Sequence, residues 1–263
     1  MNQYTTIGIE RHYRISTIWL NRTNVRNAFN EIMINELITA FDEEGARNDV
    51  RAIVLRGKGK VFCAGADLNW MKDAVQYGYD QNYKESLQLA TCFYTIYNCP
   101  KPTLAVVHGA AMGGANGLLA ACDFAFCEAE TLFSLSEVKM GIIPATISPY
   151  IIKRIGEYGA KDLMLTGRRI NGTEAEQLKL VNKCFKDIHE TEAHLQSVIQ
   201  QLMSSGPNAV TRCKKLIDAV ANKIPIQDTP DYTAKLIADT RASAEGQEGM
   251  AAFLEKRPPR WIE

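Results

Sequence analysis

TLAVVHGAAMGGANGLLAACDFAFCEAE, residues 103–130, is the stretch on which the fold turns. It opens on a short apolar run, Thr103–Val107, entered through Pro100 and Pro102, which reads as a buried strand. A small-residue segment follows at 109–123, in which Gly113 and Gly114 precede an apolar helix. DFAFCEAE, 123–130, is strand-like again. Strand, glycine turn, helix and strand in succession point to an α/β core. The turn also has chemical potential. Free N–H groups at a helix start, aided by the helix dipole, stabilise an anion such as a phosphate or a thioester enolate oxygen. Close helix–strand packing would use the same glycines. Their spacing is neither that of a Walker loop nor that of a dinucleotide fingerprint.

Upstream, Ile15–Leu20 is β-branched and aromatic, as a strand should be. Phe29, Met33, Leu37 and Phe41 recur at four-residue steps and make one helical stripe, with Asn27 as its expected N-cap and Gly45 as its stop. AIVL, 52–55, is a short buried strand, and the turn RGKGK follows it. Next comes FCAGADL, 62–68, where Ala64, Gly65 and Ala66 leave backbone N–H groups uncovered. Read alone, it favours a tight packed turn. Downstream, FSLSEVKMGIIPATISP, 133–149, sets Glu137 among apolar residues. A carboxyl in an apolar pocket has its pKa raised, which suits a general acid/base at neutral pH. The plainer alternative is an exposed glutamate paired with Lys139.

From about Ser148 the pattern is helical. One segment ends at Gly156, another at Gly167, and more follow at EAEQLKL, 189–203 and PNAVTRCKKLIDAVANK, with Pro207 near the start of the last. Two further helices are expected in 226–263, ending in a basic tail. The expected organisation is a core over 1–200 and a C-terminal helical region over 201–263.

The 263 residues are 46% apolar and 23% charged, with 30 basic side chains against 30 acidic ones. That is a globular balance without the basic excess of a dedicated nucleic-acid binder. No apolar run is long enough to span a bilayer, and MNQYTTIGIERHYR lacks the core of a secretion signal, so a cytoplasmic protein is expected. Seven cysteines without a CxxC pair read as reduced thiols, and no zinc or other metal site is indicated. His108 lies at a strand end and is expected to be structural. Cys63 has no visible base partner and is expected to be packed.

RNAFN (26–30), AGADL (64–68), the Gly113–Gly114 helix start, SEVKMGIIP (136–144) and FLEKRPPRW (253–261), in this order and spacing, resemble the crotonase, or enoyl-CoA hydratase/isomerase, superfamily. The resemblance implies a spiral of strand–strand–helix units and a helical C-terminal trimerisation region, assembled as homotrimers or dimers of trimers. It implies an acyl-CoA thioester substrate and no separate cofactor, coenzyme A being part of the substrate. No nucleic acid or membrane partner is implied.

Position by position, Ala66 and Gly114 correspond to the oxyanion-hole N–H donors, with Gly113 beside them, and Glu137 to an acid/base carboxylate. Ala64, Ala66, Asp67 and Leu68 fall where the adenine and pantetheine are contacted. Arg26 matches a basic residue near the phosphates of coenzyme A. Phe253 and Lys256 match C-terminal residues that reach coenzyme A, often from a neighbouring subunit. One position departs. Two-carboxylate hydratases carry a glutamate three residues after the second oxyanion glycine, and here that position is Gly117.

A subgroup with this glycine and a similar SEVKMGIIPATISPY stretch looks like bacterial 3-methylglutaconyl-CoA hydratases, with isohexenylglutaconyl-CoA hydratases similar. The expectation is that Gly117 makes room for a C3 branch. Lys139, Lys153 and Arg154 are candidates for the distal carboxylate of such a substrate, although each also fits a surface charge. The rival readings are a 3-enoyl to 2-enoyl-CoA isomerase, a dehydratase acting on a carrier-protein-bound group, and a non-catalytic acyl-CoA-binding protein.

Overall fold

The computed structural model describes residues 4–262. The chain runs β1 (Ile7–His12), β2 (Ile15–Leu20), α1 (Glu31–Ala46), β3 (Ala52–Gly57), α2 (Leu68–Ala74), α3 (Tyr79–Asn98) and β4 (Thr103–Val107). It continues through β5 (Ala110–Met112), α4 (Ala115–Ala121), β6 (Phe124–Glu128), β7 (Leu132–Ser134), α5 (Ser148–Thr166), β8 (Arg169–Ile170), α6 (Gly172–Gln177) and β9 (Lys183–Phe185). It ends with α7 (Ile188–Ser204), α8 (Pro207–Asn222), α9 (Thr229–Ala242) and α10 (Ala244–Glu255).

A six-stranded sheet has the order β1-β2-β3-β4-β6-β9, parallel except for the β1–β2 hairpin. A second sheet, β5-β7-β8, is three-stranded, with β5 and β7 parallel. Two successive units, β4-β5-α4 and β6-β7-α5, each give one strand to each sheet before a helix. This is the strand–strand–helix repeat expected from the sequence.

The central strands β3 and β4 are apolar on both faces because both faces are covered. Ile53, Leu55, Ala105 and Val107 pack with Met33, Leu37 and Phe41 of α1 and Phe93 and Ile96 of α3. The alternate residues Ala52, Val54, Leu104 and Val106 pack under Leu195 and Ile199 of α7. Beyond α7 the character changes. α8 and α9 contain no buried residue and α10 contains only Ala252, while Ile217, Ile237, Phe253 and Leu254 are exposed.

Met33, Leu37 and Phe41 lie on α1 as read, but Phe29 falls before the helix and bridges Ala66, because the N-cap is Asn30, whose side chain accepts from Met33 N–H at 3.1 Å. Asn27 instead adopts a left-handed conformation, φ 57°. Its buried amide donates to the carbonyls of Lys58, Val61 and Phe62 and pins the following turn. The two helical segments read around Gly156 form one span that breaks there, at φ 69°. All seven cysteines are free thiols. Among the described residues no helix is long and apolar enough to cross a membrane, and no cluster of acidic, histidine or cysteine side chains is placed to hold a metal.

Candidate functional site

Segment 62–67 threads between two neighbours. On one side Phe62 N–H donates to His108 C=O at 2.9 Å and Cys63 N–H to Ala110 C=O at 3.1 Å, while Met112 N–H donates to Cys63 C=O at 3.1 Å. On the other side Ala64 N–H donates to Arg26 C=O at 3.0 Å, Phe29 N–H to Gly65 C=O at 2.8 Å, and Asp67 N–H to Phe29 C=O at 2.9 Å. Gly65 has φ +93°, and a Cβ there would lie 2.7 Å from the Met112 carbonyl, so only glycine lets the strands close. A trans peptide points its C=O and N–H in opposite directions. With the Gly65 carbonyl held by Phe29, the Ala66 N–H faces away. Among the described residues nothing accepts from it.

The second turn follows the same logic. Gly113 N–H donates to Ser134 C=O at 2.8 Å, and its carbonyl accepts from the backbone and side-chain nitrogens of Asn116 at 3.0 and 2.9 Å. The Gly114 N–H, on the far side of that peptide, has no acceptor among the described residues. A Cβ at Gly114 would lie 2.7 Å from the ring of Phe29, which therefore touches both turns.

Glu137 opens a 3-10 turn, Glu137–Met140, just after β7. β7 pairs with β5 so that Ser134 stands opposite Met112, which delivers the glutamate to the second glycine turn. A Cβ on Gly113 would lie 3.2 Å from Glu137 Oε1, so the missing side chain is what admits the carboxylate. Glu137 is 9% exposed, and its buried Oε2 has no hydrogen-bond partner. Burial raises its pKa, against a smaller lowering by its own backbone N–H. Free N–H groups and a carboxyl group whose pKa is raised by burial thus share one neighbourhood.

Gly117 is a correction. It opens no space, because a Cβ there would lie 2.4 Å from Ile147 and 2.8 Å from Phe93. Two apolar side chains fill the place of the absent carboxylate. The Asp67 carboxylate is already engaged within the chain. Oδ1 caps α2 through Asn69 N–H at 2.8 Å and Oδ2 pairs with Arg22 at 2.8 Å. Burial works to raise the Asp67 pKa, but the Asn69 N–H and Arg22 outweigh it and hold the carboxyl below its ordinary range. Arg154 is a second correction. Rather than a surface charge, it is half-buried at the end of α4, donating to the carbonyls of Leu119, Ala120 and Cys122.

Arg26 has an exposed side chain, and its carbonyl is fixed by Ala64 N–H. Ala64 and Ala66 are half-buried and Leu68 is 73% exposed at the mouth of the turn. Phe253, 82% exposed, and Lys256 lie on or just past α10, which packs chiefly on α8 and α9 rather than on the site elements. Lys139 is exposed and Lys153 bonds Asn222. His108 Nε2 is held to Gly59 C=O at 2.9 Å, the structural role expected of it. Cys63 is fully buried against the Asn27 carbonyl at 3.0 Å, and burial pushes its thiol up to about 12, which leaves it no nucleophile.

The sequence reading gave no site role to Arg22, Phe29 or Asn116, although Phe29 stands in the RNAFN motif and Asn116 in the glycine segment 109–123. Two cavities lie elsewhere, one beside Cys99 and Cys213 and one beside Arg51 and Trp261. The acids lining the first, Asp123 and Asp218, are paired with Lys214 and Lys223, and the second has none. Neither matches the chemistry of the Ala66–Gly114–Glu137 group.

Residues 10–263 match the enoyl-CoA hydratase/isomerase family. The chain is 36% identical over 250 residues to a putative enoyl-CoA hydratase of Thermus thermophilus, covering 94% of this chain and 97% of the relative. Among solved structures, a putative enoyl-CoA hydratase/isomerase (crotonase) from Legionella pneumophila is 40% identical with a TM-score of 0.91, covering 98% of this chain and 100% of the other. An enoyl-CoA hydratase from Shewanella pealeana is 36% identical with a TM-score of 0.94, covering 98% and 97%.

Proposed function

The chain belongs to the enoyl-CoA hydratase/isomerase family, and on that premise we propose that it hydrates an enoyl-CoA with Glu137 as its single acid/base. The observation that carries this reading is the buried, partnerless Oε2 of Glu137 beside the glycine turn that ends in the free Gly114 N–H. The thioester oxygen sits between the N–H groups of Ala66 and Gly114. Glu137 takes a proton from water as the water oxygen bonds to C3. The electrons of the C2–C3 double bond move to the enolate, which the two N–H groups stabilise. Glu137, or water, then returns a proton to C2, and the thioester re-forms. Read backwards, the same steps dehydrate a 3-hydroxyacyl-CoA.

The preferred substrate is 3-methylglutaconyl-CoA, giving 3-hydroxy-3-methylglutaryl-CoA. Glycine at 117 and the SEVKMGIIPATISPY stretch support this through their resemblance to that subgroup. The steric argument from Gly117 does not, since Phe93 and Ile147 occupy the space. Arg26, Ala64, Leu68, Phe253 and Lys256 contact coenzyme A, the last two from a neighbouring chain. Asp67 contributes by fixing the start of α2. The region 201–263 assembles the chains into a trimer or a dimer of trimers, in keeping with its exposed Ile217, Ile237 and Leu254.

That same filling favours a second reading. A 3-enoyl to 2-enoyl-CoA isomerase moves one proton and needs no carboxylate at 117. Loss of enoyl-thioester absorbance, measured on 3-methylglutaconyl-CoA and crotonyl-CoA side by side, tests the first reading. Fast turnover of the branched substrate and little of crotonyl-CoA is the expected result. Equal turnover of both removes the substrate assignment. Silence on both, with absorbance appearing from a 3-enoyl-CoA, installs the isomerase.

A further inference from the structure

We propose that Asn116 is a positioning residue for this reaction, aiming the Gly114 N–H by gripping the carbonyl of the same peptide; the inference rests on the oxyanion-hole reading above. Asn116 lies in the first turn of α4 and is fully buried. Its side-chain nitrogen donates to three carbonyls, Ala111 at 3.1 Å, Gly113 at 2.9 Å and Ser134 at 3.0 Å. Only the NH₂ end of a carboxamide can face three acceptors, so the orientation follows from the surroundings. The backbone N–H of Asn116 donates to the Gly113 carbonyl as well, at 3.0 Å. Two donors from one residue therefore converge on that oxygen. Because the Gly113–Gly114 peptide is planar and trans, fixing its oxygen fixes the opposite N–H.

The remaining bonds tie this donor to the acid/base. The Ser134 carbonyl accepts both from Asn116 and from Gly113 N–H, and Ser134 ends the strand that leads, three residues on, into Glu137. One carboxamide thus joins the strand before the turn, the turn itself and the strand before the carboxylate. Packing alone would not select this side chain. Asparagine is a poor helix former, and Oδ1 is left buried with no partner.

The test uses the full-length protein and three variants, Asn116→Ala, Asn116→Ser and Glu137→Gln. Two readouts are taken: kcat and KM on the enoyl-CoA the parent turns over, and the absorption maximum of a bound cinnamoyl-CoA carrying a para-amino donor. That chromophore moves to longer wavelength as its thioester carbonyl is polarised. Asn116→Ala should lose about tenfold to hundredfold in kcat, part of what deleting an oxyanion donor costs, with KM changed less than about threefold. Its red shift should fall to half or less of the parent's. Asn116→Ser, which keeps one donor, should recover part of both. Glu137→Gln should keep the red shift and lose turnover. An unchanged red shift and kcat in Asn116→Ala, with Glu137→Gln inactive, overturns the proposal and leaves the site reading intact. A parent that shows no red shift removes the oxyanion hole itself, and the proposal with it. If Asn116→Ala does not fold, parent-like values in Asn116→Ser alone overturn it.

Discussion

Glu137 joins the chemistry to a stability cost. Burial raises its pKa, so the native chain holds this proton more tightly than the unfolded chain does. The stability contributed by the protonated form is fully present below the unfolded pKa. It is lost as pH rises toward the folded pKa, and above that the buried charge is a constant penalty. Glu137→Gln should therefore melt above the parent at pH 8 and level with it near pH 4. Its kcat should fall about 10²- to 10⁴-fold, the usual worth of a general acid/base. Melting curves at the two pH values beside turnover check both halves, and a lower melting point at pH 8 sinks the desolvation argument. At this scale the sequence was readable where neighbours in the chain make the environment. Glu137 is flanked by the apolar residues that help to bury it. The Asp67–Arg22 pair was not readable, because Arg22 lies on another segment and no local pattern marks the pair.

Among the elements, α4 is the one on which the site depends, and it is packed without slack. Its glycine at 117 meets Phe93 of α3 and Ile147 just before α5, and its last carbonyls are held by Arg154 of α5. Gly117→Ala should cost about 1–3 kcal/mol, the usual penalty for overpacking. Urea denaturation of the variant measures it, and a neutral result would mean that Phe93 and Ile147 can withdraw. Several helices and strands were legible, but β1, α2 and the long α3 were not read from the sequence. The four-residue stripe of α1 and the apolar runs of β3 and β4 follow from burial on a regular period. The break at Gly156 was legible as well, since glycine alone reaches that conformation freely. The cap at Asn30 was not. Asn27 and Asn30 are equally good caps by residue type, and the choice is made by carbonyls more than thirty residues further along the chain. The filling of the space at Gly117 was hidden for the same reason. A glycine says that a side chain is missing but not what stands in its place.

At the level of the whole molecule, two kinds of surface are left open by the single chain. One is apolar, on α8 to α10. The other is the set of exposed charges, Arg26 and Lys256, assigned to coenzyme A. They should answer salt in opposite ways. Raising salt from 50 to 500 mM should lift KM for the acyl-CoA several-fold with kcat unchanged, because exposed charges are screened over that range. The sedimenting mass, expected at a multiple of three chains, should hold, because apolar contacts are not screened. Dissociation by salt, or a KM indifferent to it, would each count against the surface concerned. The filling around Gly117 also bears on how this protein can change. Gly117→Glu by itself sets its Cβ against Ile147 and Phe93, so those two must shift before a carboxylate fits. Trimming them first opens a void while position 117 is still glycine. A route from this site to a two-carboxylate one therefore favours paired substitutions over single ones.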